Sequence, residues 1–196
     1  MLITYRMLID KYANYKGPAQ KIMRMVEKEE IFKLTKGLYE TDKNAPGYAL
    51  ANAIYNPSYL SFDFALAYHG LIPEAVYNYT SATFRKKKKK EYKNAFGTYY
   101  YRDVPDKAFP HEIMLQEEKG YPFSIATPEK ALCDKLYIVS PVKNKKELYR
   151  LLFEDLRIDE EEFEKLDALV ICELCDLYNK KNLHLLKKVM TRKLKQ

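Results

Sequence analysis

Within the first 42 residues the apolar spacing switches from the period of a helix to the period of a strand, and that switch limits what this part of the chain can build. From Pro18 to about Glu29, Ala19, Ile22, Met25 and Val26 recur on one face of a 3.6-residue repeat. Gln20, Lys21, Arg24 and Lys28 fall on the opposite side. Pro18 stands at the first helical position, where its missing N–H would be unpaired in any case. From Ile31 to Tyr39 apolar and polar residues alternate, and Lys36-Gly37 supplies a turn, so the segment reads as a small β-hairpin. Upstream, Met7, Leu8 and Tyr12 share helical spacing within residues 4–12, ahead of the polar turn Ala13 to Gly17.

Helix, turn, helix and hairpin in this order match a compact winged helix-turn-helix. Residues 1–44 are therefore expected to form a small module, closed by a charged, Pro-Gly-ended linker from Glu40 to Pro46. Residues 45–196 are expected to form a larger mixed domain, which makes the fold class α+β. Short helices are predicted at 48–55 and 61–69, with Ser61 as N-cap and Gly70 at the C-terminal end. Strand-like stretches follow at 75–83, 97–101, 113–117 and 123–126, with a run of basic residues between the first two, flanking a hairpin turn. Thr127-Pro128-Glu129 is a helix start: a cap, a proline at the first position, and an acid at the positive end of the dipole. The C-terminal third is helical. Leu148, Leu151, Leu152 and Leu156 share a face, Asp159 and Glu162 fit a capping pattern, and the last helices lie at 167–178 and 182–194.

The net charge of +7 favours an anionic partner, nucleic acid first and a membrane surface second. No stretch reaches the roughly 18 apolar residues of a membrane span, and the N-terminus lacks the pattern of a signal peptide. A cytoplasmic location is the expectation. Three cysteines are too few for a disulfide framework. Cys172 and Cys175 form a CxxC inside an apolar helical pattern; His184 lies downstream, but a zinc site needs a fourth ligand that the sequence does not offer. Core packing explains the pair more simply.

The helix from Pro18 can place Gln20 against adenine and Lys21 or Arg24 against guanine, with Lys28 on a phosphate and Lys33 and Lys36 of the hairpin on the backbone or minor groove. Glu27, Glu29 and Glu30 weaken the field at the helix end, which suits base contacts near its start. An ordinary amphipathic helix with a solvated basic face would read the same way. Arg85, Lys86, Lys87, Lys88, Lys89 and Lys90 are the strongest electrostatic signal. They suit nucleic-acid phosphates, with Tyr92, Phe96, Tyr99, Tyr100 and Tyr101 nearby to stack on unpaired bases. A solvated loop, or a dock for an acidic protein, stays open. Enzyme signatures are weak: the chain has six glycines and no phosphate-cradling glycine loop. His69 and His111 are isolated, and His69 reads as a structural histidine. Asp103, Glu112 and Glu129, with Lys130, form a loose carboxylate–lysine set of the kind found in metal-dependent nucleases, without a nuclease spacing.

Several ordered motifs resemble one family, the AbiEi antitoxins of bacterial type IV toxin–antitoxin modules. They are Lys36-Gly37-Leu38-Tyr39, Tyr48 to Asn52, Tyr59 to Pro73, Thr80 to Thr83, Phe96-Gly97, and Ile125 to Leu132. The resemblance covers roughly residues 18–140. It implies an N-terminal winged helix-turn-helix that binds inverted repeats in double-stranded operator DNA and represses its own promoter. It also implies a C-terminal antitoxin domain that counters an AbiEii-type nucleotidyltransferase toxin. No catalysis, cofactor or metal is expected. The basic run Arg85–Lys90 is carried over as a DNA-contacting face on the same ground. Only residues 4–12 precede the turn before Pro18, where family members often have a further helix. A monomer pairing on inverted repeats and a preformed homodimer are equally compatible with the sequence. A protein-interaction module that docks on the toxin without DNA is the main alternative.

Overall fold

A computed structural model describes residues 1–195 and has an α+β architecture. Strand β1 (Leu2–Thr4) opens the chain. Thr4 then caps helix α1 (Tyr5–Lys11), its side chain accepting from the Met7 N–H at 3.3 Å. Helix α2 (Pro18–Glu27) starts on its proline, and strands β2 (Phe32–Thr35) and β3 (Leu38–Glu40) form the expected hairpin. Gly37 in its turn has φ +80, a conformation that glycine adopts without a Cβ penalty. β1 is a strand the apolar spacing does not announce; it pairs with β3 and gives a three-stranded sheet in the order β1-β3-β2.

Among the described residues the buried apolar side chains form two clusters. Ile3, Leu8, Ile22, Met25, Ile31 and Tyr39 make the small one, which belongs to this N-terminal unit. The larger cluster spans the rest of the chain and includes Leu34. The segment from Glu40 to Pro46 is exposed from Thr41 to Asn44 and buried at both ends. Glu40 is fully buried, and its Oε1 accepts from the N–H groups of Thr41 and Asp42 at 2.8 and 2.9 Å and from the Tyr121 hydroxyl at 3.0 Å. Capping its own turn and reaching Tyr121 ties this segment to the larger body.

A 3₁₀ turn (Gly47–Leu50) runs into the short helix α3 (Ala51–Ile54), followed by strand β4 (Tyr59–Leu60) and helix α4 (Phe62–Tyr68). Strands β5 (Tyr79–Thr83), β6 (Lys90–Asn94), β7 (Gly97–Asp103), β8 (Ile113–Glu118) and β9 (Tyr121–Ala126) complete a six-stranded mixed sheet in the order β6-β7-β5-β4-β9-β8. β5 and β7 are parallel neighbours, so the basic run does not flank a hairpin between them. It forms the connection from β5 into β6, and the hairpin is β6–β7. Tyr99 and Tyr101 point to one face of the sheet, where their hydroxyls donate to Gly47 O and Ala51 O at 2.9 and 2.8 Å. Tyr100 and Arg102 point to the other face, beside α4 and helix α5 (Pro128–Ile138).

Thr127 caps α5 as expected, accepting from the Lys130 N–H at 3.2 Å. Helix α6 (Lys145–Arg150) continues into a wide π-type turn at Leu151–Asp155. Helices α7 (Glu160–Lys165), α8 (Ala168–Cys175) and α9 (Lys181–Lys193) follow, with Asp159 and Asp167 capping α7 and α8. No described helix is long and apolar enough to cross a membrane.

Candidate nucleic-acid interface

The amphipathic spacing of α2 decides what it exposes. Ile22 and Met25 are buried in the small core, which turns Gln20, Lys21, Arg24 and Lys28 outward. Those four side chains line one groove together with Tyr15 and Lys16 of the preceding turn. Glu30 is the carboxylate on its rim. The Lys21 ammonium lies 6.0 Å from the centroid of the Tyr12 ring, a cation–π geometry that steadies it. Lys33 is exposed on β2 and Lys36 is exposed in the hairpin turn; neither lines the groove.

The basic run is built differently. Arg85 and Lys87 both have positive φ, +57 in each case, so the connection twists sharply as it leaves β5. Asp103 organises it. Its Oδ2 accepts the Lys87 backbone N–H at 2.6 Å and its Oδ1 accepts the Thr83 hydroxyl at 2.7 Å. Arg85 pairs with Asp106 at 2.5 Å. Lys86 donates to Asn56 O at 3.0 Å and sits 4.8 Å from the centroid of the Tyr55 ring. Among the described residues, the ammonium groups of Lys87, Lys88, Lys89 and Lys90 form no ion pair. Two of the six basic side chains are thus engaged within the fold, and four project as free charge.

The neighbouring aromatics do not form a stacking platform. Tyr99 and Tyr101 have no exposed surface, and burial pushes both phenols well above the usual tyrosine range. Tyr92 packs against Tyr101 and Tyr55, with centroids 5.8 Å away in each case. Phe96 meets Phe32 of β2 edge-on at 5.6 Å. Phe96 thus packs at the junction between the two units, whereas Tyr92, Tyr99 and Tyr101 pack within the larger one.

The carboxylate–lysine set is dispersed. Asp103 holds the basic connection, Glu129 accepts the Asp167 N–H at 3.1 Å, Glu112 is exposed, and Lys130 is buried. Among the described residues, no three of His, Cys, Asp and Glu gather as a metal site. Cys175 is buried, where its hydrogen bond to Cys133, with burial second, pushes the Cys133 thiol up. Cys172 instead faces α9, 3.7 Å from the Thr191 hydroxyl, so the two CxxC sulfurs have different surroundings. His69 Nε2 lies 2.8 Å from Ala126 O, a structural contact that links α4 to the end of β9.

One constellation escapes sequence reasoning. Lys130 and Asp134, one turn apart on α5, are both fully buried, with Nζ 3.3 Å from Oδ1. Asp134 Oδ2 accepts from the Tyr59 and Ser61 hydroxyls at 2.9 and 2.7 Å. Ser61 does occupy the N-cap position of α4, but its hydroxyl goes to Asp134 instead of the helix. Lys130 Nζ also donates to Ala108 O at 2.6 Å. Burial holds the ammonium below the usual lysine range, against the pull of Asp134. Every member has a partner, and none reaches solvent, so the cluster locks β4, α5 and the end of α8 together. In sequence the pair looks like any surface i,i+4 salt bridge. No family model matches the chain, and no curated protein matches it at a significant level.

Proposed function

We propose that the chain is an AbiEi-like antitoxin that represses its own operon. In this reading the N-terminal unit is a minimal winged helix-turn-helix with α2 as recognition helix. Gln20, Lys21 and Arg24 meet base edges in the major groove of operator DNA, while Lys28 and the hairpin lysines Lys33 and Lys36 take phosphates. The larger domain opposes a nucleotidyltransferase toxin, and Lys87–Lys90 add backbone contacts.

The observation that carries the reading is the groove on α2. A helix with its apolar face in a separate small core presents Gln20, Lys21, Arg24 and Lys28 together, next to Lys16 and with one carboxylate on the rim. The ordered motifs from Lys36 to Leu132 support the antitoxin half.

A mobility-shift titration of the protein on its own upstream duplex, from about 50 to 300 mM salt, tests the DNA half. Specific binding that exceeds a scrambled duplex, and that is lost in Lys21→Ala/Arg24→Ala, supports it. Binding without preference over the scrambled duplex sinks it and leaves a protein-contact antitoxin, whose check is co-purification with a co-expressed toxin from the neighbouring gene.

A further inference from the structure

On α9, His184, Lys187, Lys188, Thr191 and Arg192 recur at helical spacing, and Lys195 continues the stripe one turn on. The opposite face buries Leu183, Leu186, Val189 and Met190. Like charges one turn apart, as at Lys188 and Arg192, destabilise a helix. This stripe lines a cleft of about 920 Å³. Lys107, from the β7–β8 connection, and Lys145, at the start of α6, close its sides; Cys175, Leu177 and Tyr178 form its floor.

Six cations line the cleft against one carboxylate, Asp176, and Lys187 has taken that carboxylate. Among the described residues, Lys107, Lys145, Lys188, Arg192 and Lys195 have no ion-pair partner. Lys145 is also fixed, its Nζ 3.1 Å from Lys188 O. Partial desolvation, and then the Arg192 and Lys188 charges, push its ammonium below the usual lysine range. Cations from three elements converge on a concave space with no unpaired carboxylate among the described residues that line it.

We propose that this cleft binds a short phosphate chain, either an inorganic polyphosphate or the triphosphate tail of a nucleotide. The volume falls within the roughly 300–1,000 Å³ of small-molecule sites. Lysine and arginine donors around a hollow match several phosphates in a row, through charge-assisted hydrogen bonds. A duplex is a convex rod whose phosphates need an outward face, such as α2 or the β5–β6 connection. Neither of those elements lines the cleft, so the inference does not depend on the operator reading.

Isothermal titration with tripolyphosphate, ATP and adenosine at about 100 mM salt tests it. Saturable one-to-one binding of tripolyphosphate is expected. Lys188→Gln/Arg192→Gln, both exposed and neutral in the variant, should weaken it by about tenfold or more per lost cation, with thermal unfolding of the free protein unchanged. Lys145→Ala is a second variant with the same expectation. ATP binding equal to tripolyphosphate identifies the phosphate chain alone as ligand; tighter ATP binding identifies a nucleotide. No heat with millimolar tripolyphosphate overturns the proposal. So does equal affinity in both cleft variants, or loss of binding in Lys21→Ala/Arg24→Ala, which would move the site to α2.

Discussion

Tyr178 donates its hydroxyl proton to Asp134 Oδ1 across 2.5 Å, although 44 residues separate them in sequence. The Tyr178 hydroxyl oxygen in turn accepts from Lys130 Nζ at 2.5 Å, so the phenol bridges both charges of α5 and seals the floor of the C-terminal cleft. Removing one partner leaves the others stranded without water. Asp134→Ala abandons a buried ammonium and three hydroxyls and should cost about 3–5 kcal/mol in urea unfolding. Tyr178→Phe removes one bridge and should cost about 1–3 kcal/mol. Lys130→Met/Asp134→Leu, which removes both charges, should be closer to wild type than Asp134→Ala. A double variant no better than the single one would mean that the pair is not coupled as described.

Stability should collapse in alkali. Burial first, and then nearby acidic groups, pushes the phenols of Tyr59 and Tyr178 well up, and burial does the same for Tyr99 and Tyr101. Tyr121, hydrogen-bonded to Glu40, is pushed up to about 12, again chiefly by desolvation. Below pH about 10 these groups are protonated in both states and contribute nothing pH-dependent. Above it the unfolded chain loses protons that the folded chain keeps, so unfolding becomes easier as pH rises. Each fully buried phenol then removes about 1.4 kcal/mol per pH unit. Urea midpoints at pH 9, 10 and 11 should be flat over the first step and fall steeply over the second. A flat profile throughout would show that the phenols ionise without unfolding.

Gly97 begins β7 with φ +139, and a Cβ there would meet Tyr79 Cε2 at 2.8 Å. The Tyr79 ring cannot retreat easily, because it packs against Tyr99 at 5.1 Å and Phe64 at 5.5 Å. Gly97→Ala therefore combines backbone strain with a clash and should cost about 2–4 kcal/mol. Gly120, with φ +81 and nothing within 4 Å of a built Cβ, is the control; its alanine should cost only about 1 kcal/mol. Equal losses at the two sites would remove the steric part of the account.

Local signals explain which elements were legible in the sequence. Pro18 and Gly37 act through their own backbone, Thr127 and Asp159 through a side-chain cap on the first turn that follows, and α2, α5, α7 and the β2–β3 hairpin lie where those residues point. β6 reads Lys-Glu-Tyr-Lys-Asn, without an apolar alternation, because it is an edge strand whose pairing with β7 holds it. β4 has two residues and draws its identity from β5 and β9 on either side. The parallel pairing of β5 with β7 is likewise non-local, and without it the basic run looks like a hairpin loop. At the candidate interface the α2 residues were legible from one helical face. The C-terminal cleft was not, since Lys107, Lys145 and the α9 stripe meet only after folding.

Under the proposed operator-binding function, the six basic residues from Arg85 to Lys90 should not contribute equally to DNA affinity. Arg85 is paired with Asp106, and Lys86 is held by Asn56 O and the Tyr55 ring, whereas Lys88 and Lys89 carry exposed charge without an ion-pair partner among the described residues. A free ammonium releases a counterion when it meets a phosphate, at about 0.9 in the slope of log affinity against log salt. Lys88→Ala/Lys89→Ala should therefore weaken operator and scrambled duplexes alike and reduce the slope by about 2. Arg85→Ala/Lys86→Ala should change the slope less, and it should instead lower stability by about 0.5–1 kcal/mol through the lost Tyr55 contact. The measurement is a set of salt titrations on both duplexes with thermal melts of each variant. An unchanged slope in Lys88→Ala/Lys89→Ala would take the run off the phosphate backbone and leave α2 and the hairpin as the whole DNA interface.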